Sequence, residues 1–141
     1  MAEKSDLYQP GLLSLAQETS RWQKMPEAQY VIRAYNPVCG DKFEVYFNID
    51  GTIKDVAFFG YGCVVSKAST VLLTELISNR SIEDARRMIT FFLDRMDNRS
   101  SGPLPDARME WLLAAKAYPG RVQCAVLPWE ALVKSPVFRD K

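Results

Sequence analysis

The stretch FEVYFNIDGTIKDVAFFGYGC, residues 43–63, decides the architecture. Phe43, Val45, Phe47 and Ile49 alternate with Glu44, Tyr46 and Asn48, the period of a strand with one buried face. Asp50-Gly51 follows, a pair suited to a tight type I′ turn. Ile53, Val56, Phe58 and Phe59 then make a second apolar strand, so the segment is a β-hairpin. Bulky apolar groups gathered on one side call for helices over that face.

Helices are supplied downstream. Gly60-Tyr61-Gly62 breaks the strand, and Val65, Ala68, Val71, Leu72 and Leu76 recur at steps of three and four. Ser81 with Asp84 three residues on marks an N-cap, opening a helix from Ile82 to about Met96 that turns Ala85, Met88, Ile89, Phe92 and Leu93 inward. Asp97–Pro105 is a loop rich in Asn, Ser, Gly and Pro. Asp106–Ala117 is a further amphipathic helix, which Pro119-Gly120 ends. A last helix starts around Cys124 or Pro128 and runs to Val133, because proline suits a first turn better than a helix interior. The tail from Lys134 is polar.

Upstream, Tyr30–Tyr35 reads as a strand leading into the Asn36-Pro37 turn, Gly11–Lys24 reads as a helix ended by Pro26, and residues 1–10 read as polar and loosely ordered. The expected fold is α+β: a small antiparallel β-sheet with several helices packed on one face, in a single domain over 1–141.

Composition narrows the function. The chain has 141 residues, 48% of them hydrophobic, enough to bury a core. Eighteen basic residues against 17 acidic ones give a formal net charge of +1, which points to neither nucleic acid nor an acidic membrane surface. No apolar run is long enough to span a bilayer, and Met1–Leu7, carrying Glu3, Lys4 and Asp6, lacks the apolar core of a signal peptide. A cytoplasmic protein is expected. Histidine is absent, which removes every triad or metal scheme that needs imidazole.

The three cysteines each sit at a break in the pattern rather than in an apolar stripe. Cys39 lies in Asn36-Pro37-Val38-Cys39-Gly40-Asp41. Cys63 follows Gly60-Tyr61-Gly62 at a helix start. Cys124 follows Pro119-Gly120-Arg121-Val122-Gln123, again read as near a helix start. Such a position favours thiolate, through unpaired N–H groups and the helix dipole. Three thiolates with Asp41 would suit Zn²⁺ or a labile iron–sulfur cluster, with Lys42 and Arg121 as neighbouring cations. A free cysteine is equally a small buried hydrophobe, and Asp41 after Gly40 equally a turn residue. Spacing alone leaves both readings open. Trp22, Tyr61 and Trp129 are candidates for a docking face or for the core.

These motifs resemble the NifU/IscU-type iron–sulfur assembly family, and its SufU-like branch in particular. Asn36-Pro37-Val38-Cys39-Gly40-Asp41 is similar to the family's Asn-Pro-x-Cys-Gly-Asp. Gly60-Tyr61-Gly62-Cys63 with Ser66, Ala68 and Ser69 resembles its Gly-x-Gly-Cys-x-x-Ser-x-Ala-Ser element. Arg121-Val122-Gln123-Cys124-Ala125 with Leu127 and Trp129 resembles the SufU-like third motif, and Gln123 stands where IscU-type proteins carry histidine. The N-terminal Leu15-Ala16-Gln17-Glu18, together with Val38, Tyr61 and Pro128, departs from the family pattern.

The resemblance implies Cys39, Asp41, Cys63 and Cys124 as metal ligands and Cys124 as the sulfur acceptor, with Arg121 and Lys42 in support. It implies Zn²⁺ or a transient [2Fe–2S] cluster as cofactor. The partners implied are a cysteine desulfurase of the SufS type and downstream Fe–S acceptor or assembly proteins. Three roles follow: a zinc-poised sulfur acceptor, a scaffold that holds a cluster, or a structural or regulatory zinc module that transfers nothing.

Overall fold

A computed structural model describes residues 7–139. The order is α1 (Pro10–Ala16), β1 (Tyr30–Asn36), β2 (Asp41–Asp50), β3 (Thr52–Tyr61), α2 (Val64–Ile77), α3 (Ile82–Met96), α4 (Met109–Leu113), a 3₁₀ turn (Ala114–Ala117), α5 (Pro119–Lys134) and α6 (Pro136–Arg139). The strands form one antiparallel sheet in the order β1-β2-β3. Ile32 faces Val45, and Val45 faces Phe58, so one register carries the apolar residues of all three strands onto one face. Phe43, Val45, Phe47 and Phe58 are fully or almost fully buried there, each contributing about 1.5–3 kcal/mol by removal from water. The α+β class expected from the pattern is the one found.

Helix α2 is buried on most of its circumference, against β3, α1 and α5. An apolar residue on nearly every side suits a central helix rather than a surface one. Helix α5 packs on α2, α3 and the β1 edge. No helix of the described residues is long and apolar enough to cross a membrane.

Several local expectations are corrected. The hairpin corner is not type I′, which needs positive φ at both central residues. Asp50 already pairs with Thr52, and Gly51 alone turns the chain at φ +77°. The strand register then shifts between Tyr46 and Asn48, where Asp55 adopts φ 54° and its carboxylate accepts from Asn48 Nδ2 at 3.0 Å.

Helix α1 stops at Ala16, well before Lys24. Residues 21–23 are claimed by the sheet instead: Phe58 N–H donates to the Arg21 carbonyl and Gln23 N–H to the Phe58 carbonyl, each at 2.9 Å, which pairs Trp22 with Phe58 along the free edge of β3. The helix expected over Asp106–Ala117 is instead a turn, the short α4 and a 3₁₀ segment. Asp106 accepts from the backbone N–H of Arg108 at 2.9 Å and holds that turn.

Pro119-Gly120 starts a helix rather than ending one. Proline is at home in a first turn because its missing N–H is not needed there. Pro128 consequently lies inside α5, not at its start. At the ends, Leu7 is buried and Phe138 of α6 fully so, which replaces loose polar termini by core contacts over those residues. The expectations for residues 1–6 and 140–141 lie outside the described residues.

Candidate metal and sulfur centre

The site gathers at one end of the sheet, where the β1–β2 turn, the end of β3, the start of α2 and the second turn of α5 meet. Asn36 shapes the first loop. Its carboxamide Oδ1 accepts from Val38 N–H at 3.1 Å, its carbonyl accepts from Gly40 N–H at 2.7 Å, and its Nδ2 donates to Cys39 Sγ at 3.5 Å. Cys39 is exposed and Val38 beside it is 90% exposed, so the loop stands out from the surface.

Asp41 begins β2 with its side chain turned inward, 2% exposed. Cys63 caps α2: its Sγ accepts from Ser66 N–H at 3.4 Å, and Ser66 Oγ donates back to the Cys63 carbonyl at 3.1 Å. The N–H of Cys63 donates to Asp41 Oδ1 at 3.1 Å. Gly62 permits this closeness. A Cβ there would lie 2.8 Å from Asp41 Oδ1 and 2.8 Å from the Phe43 ring, and would strike Ser66 Oγ as well.

Cys124 is not at a helix start. It lies in the second turn of α5 and is fully buried. Burial, first of all, pushes its thiol well above the usual range, and the neighbouring Cys63 thiol and Asp41 carboxylate push it further. The thiolate expected from a helix-start position is therefore not the state that the protein alone favours at Cys124.

Arg121 lies one turn earlier, and its interaction with the Cys124 sulfur raises the guanidinium pKa. Lys42 lies elsewhere. Strand alternation turns it away from Asp41 onto the other face, in a depression shared with Lys24, Phe59 and Tyr61. Of the three aromatic candidates, Trp129 is fully buried, while Tyr61 is 65% exposed and meets the partly buried Trp22 edge to face.

The ligand atoms of Cys39, Asp41 and Cys124 lie within 4.8 Å of one another. Cys63 Sγ falls outside that trio, yet lies near enough to the Cys124 thiol to raise its pKa. Asp41 Oδ2 is buried and has no hydrogen-bond partner among the described residues. A buried carboxylate in that condition calls for a cation. Two thiols meeting one carboxylate, with a third thiol adjacent, is a donor set that fits Zn²⁺.

The sequence matches the model of the NifU-like N terminal domain over residues 14–125. The chain belongs to that family. It is similar to the zinc-dependent sulfurtransferase SufU of Bacillus subtilis, 36% identical over 106 residues, covering 74% of this chain and 72% of that one. It is also similar to the iron–sulfur cluster assembly scaffold protein IscU of Thermotoga maritima, 31% identical over 129 residues, with 89% of each covered. The fold superposes on a putative iron–sulfur cluster assembly scaffold protein for the SUF system from Fervidobacterium islandicum at a TM-score of 0.85 and 29% identity, covering 91% of this chain and 95% of that one. The chain is thus a SufU-like member of the NifU/IscU type.

Several site residues were invisible as such in the sequence. Asn36 reads as a turn starter, Gly62 as a strand breaker, and both, like Ser66, as members of the cysteine motifs; none reads as holding a particular site side chain in place. The one available signal was their position next to a cysteine in sequence, since each acts on its nearest thiol or carboxylate.

Proposed function

We propose that this protein accepts sulfur from the persulfide of a SufS-type cysteine desulfurase, with Cys39, Asp41, Cys63 and Cys124 holding a zinc ion and Cys124 taking the sulfur. The observation that carries the reading is the meeting of the Cys39 and Cys124 sulfurs with an Asp41 carboxylate oxygen within 4.8 Å, on a carboxylate whose Oδ2 is buried with no hydrogen-bond partner among the described residues. Similarity to a zinc-dependent sulfurtransferase supports it. Bound zinc would supply positive charge that keeps the thiols ionised and the loops ordered.

The chain's own residues do the rest. Cys124 as thiolate attacks the outer sulfur of the desulfurase persulfide. A new S–S bond forms on Cys124, the donor's S–S bond breaks, and the desulfurase cysteine leaves as thiolate. Arg121 beside Cys124 stabilises the anion before and after transfer. Cys124 is fully buried, with the sulfur of exposed Cys39 within 4.8 Å of its own, so the Cys39 loop moves aside to admit the donor. Asp41 stays in place through its bond from Cys63 N–H. This activity belongs to the cytoplasm, where thiols stay reduced, and the product passes to Fe–S assembly or acceptor proteins.

A second reading has one observation in its favour: similarity to an IscU scaffold extends over 89% of both chains. There the same four residues hold a [2Fe–2S] cluster as cargo.

The test is alanine release by a SufS-type desulfurase, with and without the zinc-loaded protein, followed by mapping of the persulfide. A marked rise with sulfur on Cys124, abolished in Cys124→Ser, supports sulfur acceptance. No rise, together with cluster formation under anaerobic iron and sulfide, moves the assignment to the scaffold. Neither result leaves a zinc module without transfer.

A further inference from the structure

Helix α5 lacks one of its own hydrogen bonds directly at Cys124. Pro128 lies inside the helix and has no N–H to give to the carbonyl four residues before it, which is that of Cys124. A proline ring at this place also crowds that carbonyl and loosens the turn.

One residue further on, a bond arrives from another helix. Ser69 of α2 donates from Oγ to the Ala125 carbonyl at 2.5 Å, and the same oxygen accepts from Trp129 Nε1 at 2.7 Å. Ser69, Ala125 and Trp129 are all fully buried. The indole is fixed from its other side by a stack on Phe92 of α3, with ring centroids 4.1 Å apart.

The relay joins the two helices that carry Cys63 and Cys124. It also falls where the helix's own restraint on Cys124 is missing. A buried hydroxyl and a buried indole N–H are costly when unpaired, so the arrangement has few alternatives. We infer that Ser69 and Trp129 are positioning residues for Cys124: the Trp129–Ser69–Ala125 relay replaces the restraint that Pro128 removes and fixes the Cys124 sulfur against Asp41 and Cys39. The inference rests on reading those three residues as metal ligands.

The experiment uses the full chain, zinc affinity by chelator competition, and the visible absorption of the cobalt-substituted protein, which reports the ligand set. Ser69→Ala is expected to weaken zinc binding about tenfold or more and to shift the cobalt bands, under conditions where circular dichroism shows it folded. Pro128→Ala in that background returns an N–H to the Cys124 carbonyl and is expected to recover part of the affinity. Ile89→Val, a core change on α3, is expected to leave affinity and spectrum as in the parent. A purely structural role for the relay predicts no such recovery. Should Ser69→Ala not fold, Trp129→Phe keeps the ring and removes the N–H, and the same comparison is made with it. Variants with parental affinity and spectrum overturn the inference. A parent chain that binds neither zinc nor cobalt overturns the metal reading itself, and with it the inference, which keeps the two failures distinct.

Discussion

The backbone N–H of Cys63 donates to Oδ1 of Asp41 at 3.1 Å, tying the start of α2 to the start of β2. The other carboxylate oxygen is buried and has no hydrogen-bond partner among the described residues. One oxygen thus serves the fold and the other is left for a cation. Asp41→Asn keeps an acceptor for Cys63 and removes the charge. The metal-free variant is expected to melt at the parental temperature or above it, while zinc affinity falls at least about tenfold. Calorimetry with and without zinc checks both halves.

Cys63 has two tasks, since its sulfur also caps α2 by accepting from Ser66 N–H. Serine is the better N-cap. Cys63→Ser is therefore expected to leave the metal-free protein as stable as the parent, or up to about 1 kcal/mol more stable, yet to bind zinc more weakly because a hydroxyl is a poor ligand for a soft site. Urea unfolding and chelator competition measure the two effects separately.

Gly62 is a question of space. A Cβ would intrude among Asp41 Oδ1, Ser66 Oγ and the Phe43 ring. Gly62→Ala is expected to destabilise the fold by about 1–3 kcal/mol and to reduce zinc affinity by displacing Asp41. Parental stability and affinity together would contradict the tight fit.

Cys124 holds its proton strongly in the metal-free protein, because of burial and then the nearby Cys63 thiol and Asp41 carboxylate. A metal bound there must displace that proton. Apparent zinc affinity is therefore expected to rise with pH through the neutral range, by roughly tenfold per pH unit for each proton released. Calorimetry in two buffers of different ionisation heat counts the protons, and Cys124→Ser is expected to lower the count by one.

Far from the site, Asp106 and Glu75 both engage Arg108, at 3.0 Å and 2.5 Å. The hydrogen bond from Arg108 holds the Asp106 carboxyl below the usual carboxylate range. A lowered pKa means that the stabilisation is present above the unfolded value, about 3.9, and is lost as pH falls through the folded one. Asp106→Asn is expected to cost about 1 kcal/mol at neutral pH, allowing for partial exposure, and to flatten the acid side of the stability profile. Urea midpoints from about pH 6 down to about pH 2, which spans the fall below that unfolded value, test the sign.

Much of the fold was legible because it rests on short-range periodicity. Alternation placed β2 and β3, and three-four spacing placed α2 and α3, whose Ser81 cap accepts from Asp84 N–H at 3.1 Å as the pattern indicates. Errors arose where local vocabulary is shared. Pro119-Gly120 can stop one helix or start the next, and the buried packing of Trp129 and Leu132 on α2 and α3 carries α5 through Pro128 against its local preference. Residues 17–24 carry a locally helical pattern, and the interaction that overrides it, Trp22 against Phe58, joins distant parts of the chain.

The sequence by itself determined the α+β class and the absence of imidazole chemistry, and it offered Cys39, Asp41, Cys63 and Cys124 as candidate ligands through their motifs. It did so because these depend on residue type and on neighbours a few positions away. The tertiary structure decided the rest. It showed that Cys39 and Cys124, far apart in the chain, bring their sulfurs within 4.8 Å of Asp41's carboxylate and of each other. It also showed that Cys63 stands just outside that trio, that Cys124 is fully buried in the second turn of α5, where burial pushes its thiol pKa up, rather than at a helix start, and that Lys42 turns away. Those outcomes follow from strand register, helix packing and desolvation, which are properties of residues brought together from different parts of the chain.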